Sequence, residues 1–291
     1  MPYGLMVPAF AITLFHRIAA CAPAVASRAG AGTRCRHGVA GERRAAFSEI
    51  RFPTRNGKTL AGWFVPASGP GPHPAVAVVH GWGGNAETML PLAAPLHAAG
   101  FAVLLFEARC HGRSDEDSFA RCRALRRMCG GRGLVARSRR SGERRQCRNR
   151  TGRHSVGAGA VLLAAARDPG IAAVVSIAAF THPEAMMRRW FAFRGIPQRP
   201  LGSLILRYVE RVIGHRFDDI APITTIRRLH CPVLLVHGAE DATVPVEEAH
   251  AIHAAGGPNV QLKIVAGSHD DYAGSGARTA GAGGFLRAAV R

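Results

Sequence analysis

Five short runs rich in apolar and β-branched residues constrain the fold of this chain more than any other feature: "AVAVV" (75–79), "FAVLLF" (101–106), "IAAVVSI" (171–177), "PVLLV" (232–236) and "VQLKIV" (260–265). Each has strand length, and most are continuously apolar instead of alternating, which is how strands read when both faces of a sheet are covered. The intervals supply the covers. "NAETMLPLAAPLHAAG" predicts a helix with Asn85 as N-cap and Gly100 closing it, residues 156–167 predict a second, and another is expected after Pro245. Ahead of them, "SEIRFPT" (48–54) and "TLAGWFVPA" (59–67) flank Asn56-Gly57 and predict an antiparallel hairpin that opens the domain. The fold class is therefore α/β, with a mostly parallel central sheet and helices on both faces. One domain over 48–291 suits a chain of 291 residues.

Three segments at the predicted carboxyl ends of strands carry complementary chemistry, and an open parallel sheet holds its ligand site at those ends. "HSVG" holds Ser155, "HGAEDATVP" holds Asp241 and "AGSHDD" holds His269. Singly, Ser155 reads as a turn or helix N-cap, Asp241 as a turn carboxylate and His269 as a loop histidine. Together they give a nucleophile, an acid and a base in chain order. "HGWGGN" (80–85), after the first long parallel strand, is rich in glycine, so its amides can approach an oxyanion. Glu240 is a rival to Asp241 as the acid. His80, His111 and the nearby carboxylates lack ligand spacing, so no metal site is expected. Cys110 reads as a small buried residue.

On these segments the chain resembles the α/β-hydrolase superfamily, in particular its esterase, dienelactone-hydrolase-like and serine-peptidase-like members, over about residues 48–272. The resemblance implies an α/β-hydrolase fold in which Ser155 attacks a carbonyl, His269 shuttles the proton and Asp241 fixes the imidazole tautomer. It further implies that the backbone amides of Trp82 and Val156 form the oxyanion hole. "EARCHGRSD" (107–115) matches a family loop and reads as structural support. The expected reaction cleaves an ester, thioester or amide of a small-molecule or peptide acyl substrate, without a cofactor. Residues 181–229 interrupt the alternation with "MMRRWFAFRGIPQRPLGSLILRYVERVI", apolar at helical spacing. They read either as a small helical cap over the site or as ordinary packing on the domain.

The net charge of +19 comes almost wholly from arginine, since Lys58 and Lys263 are the only lysines. It is concentrated in a few stretches and has neither an aromatic platform nor a reading helix. The expectation is no specific nucleic-acid partner, although an arginine-rich segment is the feature such a protein would use. Seven cysteines, odd in number and without CxxC spacing, fit a reducing compartment. Residues 1–47 form an N-terminal arm whose first 26 residues are apolar for about the length of a membrane helix, interrupted by His16, Arg17 and Pro23. Read as an anchor, the arm would leave the rest of the chain cytoplasmic, given the arginines that follow it. Otherwise it is a loosely docked arm.

One segment conflicts with the rest. Residues 121–153 hold thirteen arginines, one acid and no apolar strand, where the fold requires a helix and the central strand leading to Ser155. Five arginines fall in 144–153, and five guanidiniums in a sheet, at several kcal/mol each, would exceed a net domain stability of about 5–15 kcal/mol. The strand is therefore expected to form poorly. Arg153 occupies the position two before Ser155 where a nucleophile turn favours glycine, so an impaired or inactive hydrolase-fold protein is the competing reading. The 41 residues from Ser114 to Ser155 are nonetheless the right length for one helix and one strand. A stretch read out of frame over 120–153 reconciles correct length with wrong content: if its arginines use CGN codons, the frame one base later turns each into Val, Ala, Gly, Asp or Glu. The glycine-dense 274–284, where a closing helix is due, invites the same suspicion.

Overall fold

The computed structural model describes residues 47–54, 57–70, 73–81, 84–109, 111–115, 149–154, 156–269 and 276–289, all within one compact unit, Ala46–Arg291. The hairpin forms as expected. β1 (Ser48–Pro53) and β2 (Thr59–Val65) run antiparallel, with Pro53 opposite Thr59. β3 (Ala75–Val79), β4 (Ala102–Phe106), β5 (Asn149–His154), β6 (Ile171–Ile177), β7 (Val233–Gly238) and β8 (Val260–Val265) complete an eight-stranded sheet. Its order is β1-β2-β4-β3-β5-β6-β7-β8, and it is parallel from β4 to β8.

Neighbouring residues of a strand face opposite sides of the sheet, and each side has its own core. On one side Val175 and Leu234 pack with Ala93 and Leu96 of α1 (Leu90–Ala98) and with Ala282 and Leu286 of α8 (Gly276–Ala288). On the other, Val174 and Leu235 pack with Val161 and Leu162 of α2 (Val156–Arg167) and with Ile252 of α7 (Val246–Ala255). Continuous apolar strands are required because both faces are covered.

The segment between β6 and β7 is helical: α3 (Pro183–Phe193), α4 (Ser203–Ile213) and two single-turn helices, α5 (Phe217–Ile220) and α6 (Pro222–Thr225). The His182 ring caps α3 by accepting from the Glu184 amide, and Gly214 closes α4 at φ +69°. Its apolar residues divide between the two readings of 181–229. Phe191, Ile205 and Val209 are buried core, whereas Phe193 is 84% exposed.

Three expectations need correction. The central strand forms: β5 pairs in parallel with β3 from Val76↔Arg150 to Val79↔Arg153 and with β6 up to His154↔Ile177. It begins only at Asn149, so two of the five arginines of 144–153 lie in it, and ladders on both sides satisfy its backbone. The glycine-dense C-terminal stretch is helical over Gly276–Ala288. Its interior glycines disfavour a helix by about 1 kcal/mol each. Burial of Leu286 and Ala282 offsets this, and Gly283 gives α8 close access to Ala99. The helix expected over 85–100 starts with a 3-10 turn at Glu87–Met89. Asn85 does accept from the Thr88 amide, at 3.0 Å, but the Thr88 hydroxyl bonds back to the Asn85 carbonyl and tightens that first turn. The arm 1–46 and residues 116–148 lie outside the described residues. Among the described residues no helix is long and apolar enough to cross a membrane.

Candidate active site

The sheet fixes where a site can form. From β3 the chain moves to one side to make β4, then returns across β3 to make β5, so connections leave in opposite directions at the β3–β5 boundary. Such a switch point opens a crevice at the carboxyl ends of the strands. The loop after β3 (80–86) and the junction of β5 with α2 flank it. β5 ends at His154 and α2 begins at Val156, leaving Ser155 between them. Ser155 and Trp82 themselves lie outside the described residues.

Gly157, in the first turn of α2, explains how the helix approaches that loop. A Cβ there would lie 2.7 Å from the His80 carbonyl oxygen and 3.1 Å from Val79, so a side chain would push α2 away from β3. His80 is itself buried and held at both nitrogens: Nε2 accepts from the Ala108 amide at 3.0 Å, and Nδ1 donates to the Gly81 carbonyl at 2.7 Å. The 107–115 loop is a support, as its sequence suggests. Ser114 donates to the Glu107 carbonyl and accepts from the Ala61 amide, Asp115 accepts from the Thr59 amide, and Glu107 accepts from the Arg113 amide. Among the described residues no cluster of histidine, cysteine, aspartate and glutamate could hold a metal ion.

Asp241 and His269 come together from the loops after β7 and β8. The His269 Nδ1–H donates to Asp241 Oδ2 at 2.6 Å, and the carboxylate side chain is wholly buried while the imidazole side chain is 12% exposed. Asp241 Oδ1 accepts from the amides of Thr243 and Val244 at 2.9 and 2.8 Å. Both carboxylate oxygens are thereby engaged, and the imidazole is oriented through its Nδ1–H. Glu240, the rival acid, is engaged elsewhere. Its Oε2 accepts from the Gly267 amide, and its own amide donates to the Gly267 carbonyl. The two loops meet at glycines for a steric reason. Gly267 has φ +112°, and a Cβ on Gly238 would collide with the Gly267 carbonyl oxygen.

Sequence reasoning missed two buried polar residues that organise the fold. His237, the penultimate residue of β7, is buried, and its Nε2–H donates to the Val244 carbonyl at 2.8 Å. Glu248 on α7 is also buried, accepting from the Thr181 amide and hydroxyl at 2.6 and 3.0 Å and pairing with Arg189 of α3. It holds the start of the inserted helices to the sheet domain. The letters "HG" and "VEEAH" carry no signal of either role, because both depend on residues brought in by the fold.

This sheet order, with an acid and a histidine on consecutive loops at the carboxyl edge and a helix starting one residue beyond the central strand, defines the architecture of the α/β hydrolases. The chain belongs to the α/β-hydrolase superfamily, and its class of chemistry is hydrolysis. The sequence profile of the serine aminopeptidase S33 family matches residues 70–213. The uncharacterised protein Rv2307c of Mycobacterium tuberculosis is 31% identical over 232 residues, covering 77% of this chain and 72% of that protein. Two solved structures similar to this chain are the Pyrococcus furiosus esterase Pf2001 (TM-score 0.66, 19% identity, 84% of this chain and 91% of that one) and the esterase domain of a Rhodothermus marinus protein (TM-score 0.59, 22% identity, 84% and 97%). A bacterial membrane phospholipase A is similar at a TM-score of 0.60 with 17% identity, covering 85% of this chain and 88% of that one.

Proposed function

We propose that this protein is a serine hydrolase that cleaves an ester, thioester or amide through an acyl-enzyme. Ser155 Oγ attacks the carbonyl carbon and passes its proton to His269 Nε2, while the amides of Trp82 and Val156 receive the developing oxyanion. Collapse of the tetrahedral species breaks the bond to the leaving group, which takes the proton from His269. Water then attacks the acyl-enzyme by the same route, and the proton returns to Ser155 as the carboxylic acid departs. No cofactor enters this scheme. The observation that carries the reading is the 2.6 Å bond from His269 Nδ1 to the fully buried Asp241 Oδ2, made at the strand edge where α2 starts directly after Ser155. Read as a cap, the helices of 181–229 favour an apolar acyl or alkyl group.

A fluorophosphonate probe tests the assignment. Labelling of the full chain that disappears in Ser155→Ala is expected. Folded wild-type protein that takes up no label would overturn this reading in favour of an impaired hydrolase-fold protein, for which Arg153, near the end of β5 and two residues before Ser155, supplies the physical reason.

A further inference from the structure

Asp241 has a second imidazole beside it. His237 lies within β7, its side chain is 1% exposed, and its Nε2 is 3.5 Å from Asp241 Oδ2, the oxygen that accepts from His269. The same Nε2 is 2.8 Å from the Val244 carbonyl, which can only accept, so the proton resides on Nε2. The Val244 amide in turn donates to Asp241 Oδ1. Val244 is thus gripped at its carbonyl by His237 and at its amide by Asp241, and the acid loop is closed on itself through two side chains. His237 Nδ1 is buried with no hydrogen-bond partner among the described residues. A buried polar nitrogen without a partner is costly, and an apolar residue of similar volume would avoid that cost at a position serving only to fill space.

We propose that His237 is a positioning residue for the acid, fixing the 239–245 loop through Val244 and presenting its Nε2–H toward Asp241 Oδ2, so that the carboxylate is held in the rotation that meets His269. The inference rests on the reading of Asp241 and His269 as members of a triad. His237 acts on His269 only through Asp241.

Two readouts on the full chain test it: steady-state kinetics on a p-nitrophenyl ester, and the far-downfield proton resonance of a histidine Nδ1–H bonded to a carboxylate. In His237→Leu, kcat is expected to fall by about tenfold or more with KM changed less than about twofold, and the resonance to shift or vanish. His237→Gln, whose side-chain amide reaches the Nε2 position, should recover kcat to within about threefold of wild type together with the resonance. If the leucine variant does not fold, glutamine against asparagine carries the comparison, because the shorter amide cannot reach Val244. Wild-type kcat and resonance in the leucine variant would overturn the proposal, as would glutamine performing no better than leucine or asparagine. A wild-type chain without the resonance overturns it too. Because the resonance needs no substrate, failure of Ser155 labelling leaves this test readable and counts only against the serine assignment.

Discussion

Two adjacent carboxylates, Glu240 and Asp241, end in different jobs because the backbone between them turns. Asp241 is drawn inward by the Thr243 and Val244 amides and meets His269, whereas Glu240 is spent on the Gly267 amide at the surface. Asp241→Asn is therefore expected to keep the fold and lower kcat by roughly 10⁴-fold, since an amide favours the wrong tautomer of His269. Glu240→Gln should cost far less, and the same ester assay distinguishes the two. A third residue answers a different measurement. Burial pushes the Cys231 thiol above its usual pKa, so less thiolate is present near neutral pH. Alkylation of Cys231 followed by peptide mass spectrometry should be slower in the native chain than in urea. That Asp241 and His269 stand on consecutive loops at strand ends was legible in the sequence, because chain order and strand-end placement are local facts. His237 was not, since "HG" ends many strands and its partner Val244 is reached only by the loop's own fold.

At the scale of elements, the inserted helices are tied to the domain at their first residue. The Glu248 carboxylate takes both donors of Thr181 and the Arg189 guanidinium. Glu248→Ala should lower stability to urea by about 1–3 kcal/mol, because it leaves partly buried donors without their acceptor. Arg189→Ala removes only a 41%-exposed partner and should cost less than about 1 kcal/mol. Element boundaries follow the same division between local and tertiary causes. β3, β6 and α2 were legible to the residue, because continuous apolar runs bounded by turn residues admit few alternatives, and so was β8, whose short run with Gln261 and Lys263 is bounded by turn residues. α8 was not. Its composition opposes a helix, and the burial of Leu286 that overrides it comes from packing under α1. Leu286→Ala is expected to cost about 2–5 kcal/mol, measurable by chemical denaturation.

For the whole molecule, the central strand is the place where sequence and architecture disagree most. β5 lies between β3 and β6 in the middle of an eight-stranded sheet, yet reads "NRTGRH". A β-branched valine is favoured in a strand. Arg150→Val is expected to raise the melting temperature, and a fall would show that the strand draws stability from that cation. The nucleotide sequence over codons 115–155 gives a separate check. If its arginine codons are CGN and the alternative frame yields an apolar strand ending in glycine, the charge excess and the strand's composition share one origin. A frame with no such strand refutes it.

The two loops that bring Asp241 and His269 together do not share the same protection. β7 is flanked on both sides, but β8 is the last strand of the sheet, pairs among the described residues with β7 alone and has Gln261, Lys263 and Ile264 exposed. His269 is therefore borne by the sheet's outer margin and Asp241 by its interior. Fraying of an edge element requires less free energy than global unfolding. On warming, β8 can peel away and carry the histidine off its carboxylate while the hydrophobic cores on both faces are intact. Heat inactivation of this protein should then follow amide exchange in the last strand, at temperatures below the cooperative melt, and recover on cooling.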